Sequence, residues 1–412
     1  MKKNPNEALG QNKRDYGTLF AVWVFASLAL WLLLSLVFGK DTFTSVFFRH
    51  TTDAFMVFFN SIRDASLGQG AYTERRVIYP PMANLIFMLL SYITPDAYNS
   101  TSFDMRTTWS DYGVNVVLAL LFIAICTAVF AWLICFGIKA RSQNGWYWFA
   151  LAGVIGVPFL NLIERGNLII LAVFALMIYA MTYDHPSAVW REVGLICLAF
   201  SFSLKLYPLL FAWVLIGDKR YRAFVRCAIY SVLLLVLPSF AFGGPSCLLV
   251  IVKNIFSFSS GPSGVLGAVS TYLRLPGAFL TILVYGWFLL CAANFLVSVF
   301  VHREKWKIWI CGCMMFLSFP SLTSTYGWLL FLIPLLMMFN VNVSGKRTLF
   351  YTIALTVPFL LLPVPLPVTQ ITLNAIAVYV ALLGLTGYSV YDTVCACRQR
   401  FCRKSSIQKA GA

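Results

Sequence analysis

The chain has 412 residues, of which 60% are hydrophobic and 11% charged, with a mean hydropathy of +0.80 and a formal net charge of +16. A composition this apolar excludes a soluble globular protein and fits a polytopic membrane protein. The positive charge sits in short segments between apolar runs and at both ends, as in positive-inside loops beside anionic lipid; no basic stripe on a soluble domain is there to bind nucleic acid.

Residues 1–17 are polar and carry Lys2, Lys3, Lys13 and Arg14, which assigns this tail to the cytoplasm. The first apolar run, Thr18 to Phe38, is longer than a signal-peptide core and has no small-residue cleavage site, so it reads as a retained span. The loop that follows, residues 39–78, then lies on the extracytoplasmic side. Within it, Arg49 to Asp64 reads as a short amphipathic helix in the membrane interface. Phe55, Phe58, Phe59 and Ile62 cluster on one face; Asp53, Val57, Asn60 and Asp64 fall on the other. Thr51 or Thr52 is a ready N-cap, which would put Asp53 in the first turn, where the helix dipole favours its charged form.

Tyr79-Pro80-Pro81 opens a second apolar run to Thr94, and a third extends from Tyr112 to Gly137, followed by Lys139 and Arg141. Two shorter runs flank Asn161 to Asn167. A run from Val193 to Ile216 contains Lys205 and precedes the basic loop Lys219, Arg220, Arg222 and Arg226. A further span ends near Gly243-Gly244-Pro245, and residues 243–276 read as a second extracytoplasmic loop. Runs at 277–301, 308–317, 328–339, 349–362 and 371–390 lead to the basic tail, 393–412. The tally is about twelve transmembrane helices in an all-α membrane domain, 18–392, with both termini inside and no internal repeat. One conflict stands: Lys139 and Arg141 favour the cytoplasm, while plain counting puts them outside.

Ionisable residues inside apolar runs are functional candidates, because each costs roughly 2.5–3.5 kcal/mol to insert. Lys205, in Ser201-Phe202-Ser203-Leu204-Lys205-Leu206-Tyr207-Pro208, has about ten apolar residues on each side and calls for an anion such as a lipid phosphate; a snorkelling lysine is the bland alternative. Glu164 and Arg165 precede Gly166-Asn167, which reads as a helix break whose backbone groups line a cavity; a structural ion pair is the alternative. Phe319 to Trp328 interrupts two runs with four hydroxyls and a proline, either a tight loop or a hydroxyl-lined rim. The eleven cysteines read as small core hydrophobes, and Cys311/Cys313 and Cys395/Cys397/Cys402 lack histidines at ligand spacing, so no metal is expected.

Asp53 in the first extracytoplasmic loop, Tyr79-Pro80-Pro81, Arg165-Gly166-Asn167 and Lys205-Leu206-Tyr207-Pro208, in this order over residues 15–340, resemble glycosyltransferase family 87. That family has the GT-C fold and includes polyprenyl-phosphate-mannose-dependent mannosyltransferases. The resemblance implies a multi-pass cell-membrane enzyme with an extracytoplasmic active site. It would move mannose or a similar sugar from a polyprenyl phosphate to a glycolipid or cell-envelope glycan. It also implies Asp53 as general base and Lys205, with Arg165 and Tyr326, as the contacts of the donor phosphate. Tyr326 stands where family members often have a histidine. His50, Asn60, Asp64, Tyr79, Glu164, Asn167 and Tyr207 are the further substrate-binding candidates, and His50 competes with Asp53 as base. The lone carboxylate, not a paired Asp-x-Asp, suits an inverting single displacement without a cofactor. A lipid flippase or secondary transporter and a non-catalytic subunit of an envelope-assembly complex are the alternatives; a transporter would be expected to carry an internal repeat.

Overall fold

A computed structural model describes residues 16–47, 54–93, 113–137, 146–258, 276–319, 325–341, 345–363 and 373–410, and all regular structure among them is helical. The helices are α1 (Tyr16–Phe38), α2 (Lys40–Thr44), α3 (Met56–Ser66), α4 (Gly70–Thr73), α5 (Pro81–Ser91), α6 (Gly113–Gly137), α7 (Trp146–Ile155), α8 (Val157–Arg165), α9 (Ile169–Thr182) and α10 (Ala188–Leu204). A 3₁₀ turn (Tyr207–Ala212) leads to α11 (Trp213–Gly217), then α12 (Tyr221–Ser239), α13 (Cys247–Phe258), α14 (Gly277–Val301) and α15 (Lys305–Leu317). A second 3₁₀ turn (Thr325–Phe331) runs into α16 (Leu332–Asn340), α17 (Lys346–Thr356) and α18 (Leu373–Ala410).

Five of these helices are long and apolar enough to cross a membrane: α1, α6, α12 with the turn after it, α14 and residues 376–400 of α18. Taken together as one broken span, α7 and α8, bent by 51°, would be a sixth. The bend falls at Gly156, where a Cβ would come within 2.8 Å of the Phe359 ring, and Pro158 restarts the helix in its first turn. About twelve spans are expected from the sequence, but several apolar helices are shorter. At 1.5 Å per residue, the 11 residues of α5 and the 14 of α9 reach only about 16 and 21 Å.

The basic segments converge at one end of the molecule. Arg220 donates to the Tyr183 carbonyl, Lys305 pairs with Asp218, Arg226 with Glu192, and Lys307 and Arg347 with Asp392. Gly17 packs on Phe339 and the Asn340 amide donates to the Gly137 carbonyl at 2.7 Å, which brings the start of α1 and the ends of α6 and α16 to the same end. A cavity of about 450 Å³ joins Gly137 and Asn340 to Asp184, Arg303 and Lys305. Gly137, the last described residue before Lys139 and Arg141, therefore lies among the basic loops.

Two boundaries differ from the sequence reading, and each has a local cause. The run 193–216 is not one helix. α10 stops at Leu204, Lys205 is extended (φ −148°, ψ 129°), and the chain restarts at Tyr207-Pro208, because a residue before proline disfavours the helical region. The run opened by Tyr79-Pro80-Pro81 yields only the 11-residue α5, packed on α3, α10 and α12.

The amphipathic helix is present but starts at Met56, and Phe55 before it is left-handed (φ 57°). Thr51 to Asp53 therefore lie ahead of α3, not in its first turn; their own conformation falls outside the described residues. Its apolar face does not rest on lipid. Phe55, Phe58, Phe59, Ile62 and Ala65 are buried against Ala83, Phe87, Ala119, Leu168, Ala172 and Leu204, from α5, α6, α9 and α10. Burying each large side chain is worth roughly 1.5–3 kcal/mol relative to water, so α3 is an integral part of the helical core.

Candidate functional site

At the end opposite the basic loops, several of the sequence candidates meet around the Tyr79 ring. The Lys205 ammonium lies 3.9 Å from the ring centroid, a cation–π contact. Among the described residues no carboxylate bridges Lys205. The break after Leu204 makes this contact possible. The Lys205 amide still closes the helix on Ser201 (3.0 Å), and the Ser201 hydroxyl donates to the Ala172 carbonyl (2.7 Å), tying α10 to α9. Lys205 thus stands at a helix end, not in the middle of an unbroken span.

Tyr79 is held from behind. Its carbonyl accepts the Tyr72 hydroxyl (3.1 Å), while the Asn254 amide of α13 donates to the carbonyls of Tyr72 (3.0 Å) and Val77 (3.2 Å). Pro80 is extended and Pro81 starts α5, so the ring emerges from a stiff turn. Burial pushes the Tyr79 phenol well above its ordinary range and Tyr326 pushes the same way, while Asn167 and Arg165 oppose them. The hydroxyl therefore keeps its proton at neutral pH, and Arg165, Asn167 and Tyr326 are its electrostatic neighbours.

The α8–α9 break supplies two of these neighbours. Two backbone amides at the break are bonded within the chain. The Gly166 amide bonds to Ile163 (3.0 Å) and the Asn167 amide to Leu162 (3.3 Å), a Schellman cap closed by left-handed Gly166 (φ 61°). The buried Asn167 side chain accepts the Ile169 amide at 3.0 Å and so caps α9. A Cβ on Gly166 would come within 2.7 Å of the Phe58 Cβ and 2.9 Å of Phe55. Glycine is needed there both for its conformation and for the close approach of α3.

Glu164 links this break to the first loop. Its side chain is buried, and its carbonyl accepts the Phe55 amide at 2.7 Å. The chain two residues after Asp53 is therefore pinned one residue from Arg165. Asp53 and His50 themselves lie outside the described residues. Tyr326, on the 3₁₀ turn before α16, is partly buried and acts electrostatically on both Tyr79 and Tyr207. The Tyr207 ring stacks on Phe316 at 3.6 Å, and its hydroxyl is buried with no hydrogen-bond partner among the described residues.

Two candidates stand apart. Asp64 is paired with Arg63 (2.9 Å) and Arg75 (3.9 Å) on the surface of α3. The Asn60 amide turns back to the Met56 sulfur (3.4 Å). No described contact connects either with Tyr79. Conversely, Phe55, Tyr72 and Ser201 position the site although the sequence reading names none of them as a site residue. Phe55 contributes through its backbone, which side-chain patterns do not report. Among the described residues no three His, Cys, Asp or Glu side chains group as a metal site. Compared with protein-family models, curated proteins and solved structures, the chain matches none.

Proposed function

We propose that the chain is a membrane glycosyltransferase of the GT-C kind, moving a sugar from a polyprenyl phosphate to a glycolipid or cell-envelope glycan. The observation that carries this proposal is the Lys205 ammonium on the Tyr79 ring, with Arg165 an electrostatic neighbour of the Tyr79 hydroxyl, beside the break that anchors Phe55. Two cations and a protonated phenol in a buried setting suit a phosphate leaving group. In the proposed step the acceptor oxygen bonds to the anomeric carbon as the bond to the donor phosphate breaks. Asp53 takes the acceptor proton, and Lys205, Arg165 and the Tyr79 and Tyr326 hydroxyls stabilise the released polyprenyl phosphate. With one displacement, the anomeric centre inverts.

The proposed topology has twelve passes, both termini inside and the site on the extracytoplasmic face. Support comes from the alternation of ends between the basic pole and the Tyr79 pole: α1, α6, α7 with α8, α9, α10, the turn with α11, α12, α14, α15, the turn with α16, α17 and α18. Here α5 is not a pass, and the run 193–216 supplies two. With the basic pole in the cytoplasm, α9 and α10 carry the chain from one pole to the other and Lys205 ends on the far side.

Incubating the purified full chain with radiolabelled polyprenyl-phosphate mannose and membrane glycolipid tests the proposal. Label should appear in the glycolipid, and Lys205→Gln should abolish it. Movement of labelled lipid between leaflets without transfer would replace the enzyme with a flippase.

A further inference from the structure

At the basic end, the turn between α14 and α15, the start of α17 and the later part of α18 enclose an open cleft of about 800 Å³. Four cations line it, Arg303, Lys307, Arg347 and Arg400, against two carboxylates, Glu304 and Asp392. Both carboxylates are already engaged. Lys307 Nζ lies 2.5 Å from Glu304 and 3.4 Å from Asp392, Arg347 lies 3.5 Å from Asp392, and the Tyr351 hydroxyl donates to Asp392 at 3.2 Å. The Asp392 side chain is 2% exposed, so its charge is neutralised within the wall. Arg303 and Arg400 are exposed and, among the described residues, bridge no carboxylate. The cleft keeps a surplus of two positive charges on its open side, and its natural ligand is an anion.

The flank of the cleft indicates where the anion comes from. Val380, Leu383, Tyr391 and Val394 are exposed on α18, and at 100° per residue they fall within roughly 80° of one another. This apolar stripe adjoins the face of α18 that carries Cys395, Gln399 and Asp392 into the cleft, with Arg400 at the far edge of that face. Tyr391 marks the border, with the Arg347 guanidinium 6.0 Å from its ring. An apolar stripe ending in an aromatic and then arginines is the order of groups a phospholipid meets from its chains to its phosphate.

We infer that this cleft holds the phosphate of an anionic phospholipid, with Arg303 and Arg400 on the phosphate oxygens and the acyl chains along the α18 stripe. The site is separate from the sugar-transfer proposal and does not depend on it. Arginine suits the task because its planar donors bind phosphate oxygens in pairs.

The test uses the full chain in nanodiscs of phosphatidylcholine with a minor share of phosphatidylglycerol, and native mass spectrometry counts the lipids retained on release. Wild type should retain phosphatidylglycerol over phosphatidylcholine. Arg303→Gln/Arg400→Gln should reduce that preference roughly tenfold or more, since each surface cation is worth about 1 kcal/mol toward anionic lipid. Arg400→Gln alone, with a smaller loss, covers the case in which the double variant does not fold. Equal retention of the two lipids by wild type, or an unchanged preference in the Arg303/Arg400 variants, overturns the assignment. Displacement of the lipid by soluble glycerol phosphate at millimolar concentration overturns the lipid source in favour of a free phosphate compound.

Discussion

The Lys205 ammonium sits 3.9 Å from the centroid of the Tyr79 ring, although 126 positions separate them in the chain. The contact joins the turn after the first loop to the break between α10 and its following 3₁₀ turn. It holds the Lys205 side chain at a defined place, with no carboxylate bridging it among the described residues.

Replacing Lys205 with Gln should lower single-turnover sugar transfer by about 10²–10³-fold, the scale of losing one electrostatic contact to a developing charge. Thermal stability should fall only slightly, because an exposed-to-buried cation–π contact is worth about 0.5–2 kcal/mol. Tyr79→Phe should keep the platform under Lys205 and lose the hydroxyl, while Tyr79→Leu loses both and should be the more damaging. Equal transfer by Lys205→Gln and wild type would rule out a phosphate role for this lysine.

Gly166→Ala should destabilise the fold by roughly 2–4 kcal/mol, combining left-handed strain with a clash. The new methyl meets Phe58 and Phe55 at once, and both belong to the buried face of α3. Thermal melting in detergent reads the loss. If the melting temperature is unchanged, α3 does not approach α8 as closely as described.

Asp53→Asn should reduce transfer by about 10²–10⁴-fold, the usual contribution of a general base. His50→Ala should cost much less. Inversion of these two results, read in the same single-turnover assay, would hand the base role to His50.

Cysteine labelling in a background without native cysteines can test the topology. Ser142→Cys and Ser344→Cys should react from the same side of sealed vesicles, and Thr73→Cys from the other. The first two follow helices whose ends meet through Asn340 and Gly137; Thr73 lies in α4, near Tyr72 and the Tyr79 turn. Labelling of Ser142→Cys from the Thr73 side would restore α5 as a spanning helix.

Buffering the basic end at different salt concentrations should separate its two kinds of charge. Arg303 and Arg400 are exposed and screened, so anionic-lipid retention should weaken as salt rises. The Asp392 cluster is buried on its acidic side and should persist, with melting temperature as the readout. A melting temperature that falls in parallel with lipid retention would show that the cluster is not insulated.

By itself, the sequence determined the membrane class, the basic pole and the odd residues: an apolar run, a lysine within it and a glycine after a helix are local facts with local costs. It marked Lys205 and Arg165 because charge is expensive where they stand, Asn167 through a helix break, and Tyr79 through a family resemblance. Only the tertiary structure decided that these residues meet, that Asp64 is instead engaged by Arg63 and Arg75, and that the greasy face of α3 turns to protein. An apolar face does not specify whether lipid or another helix will cover it, since both are equally dry. The same degeneracy hid where the helices end. Whether a proline or glycine ends a helix, as at Lys205-Leu206-Tyr207-Pro208, or only bends it, as at Gly156, depends on which neighbours satisfy the freed backbone groups. Those neighbours are remote in the chain and become visible only once it is folded.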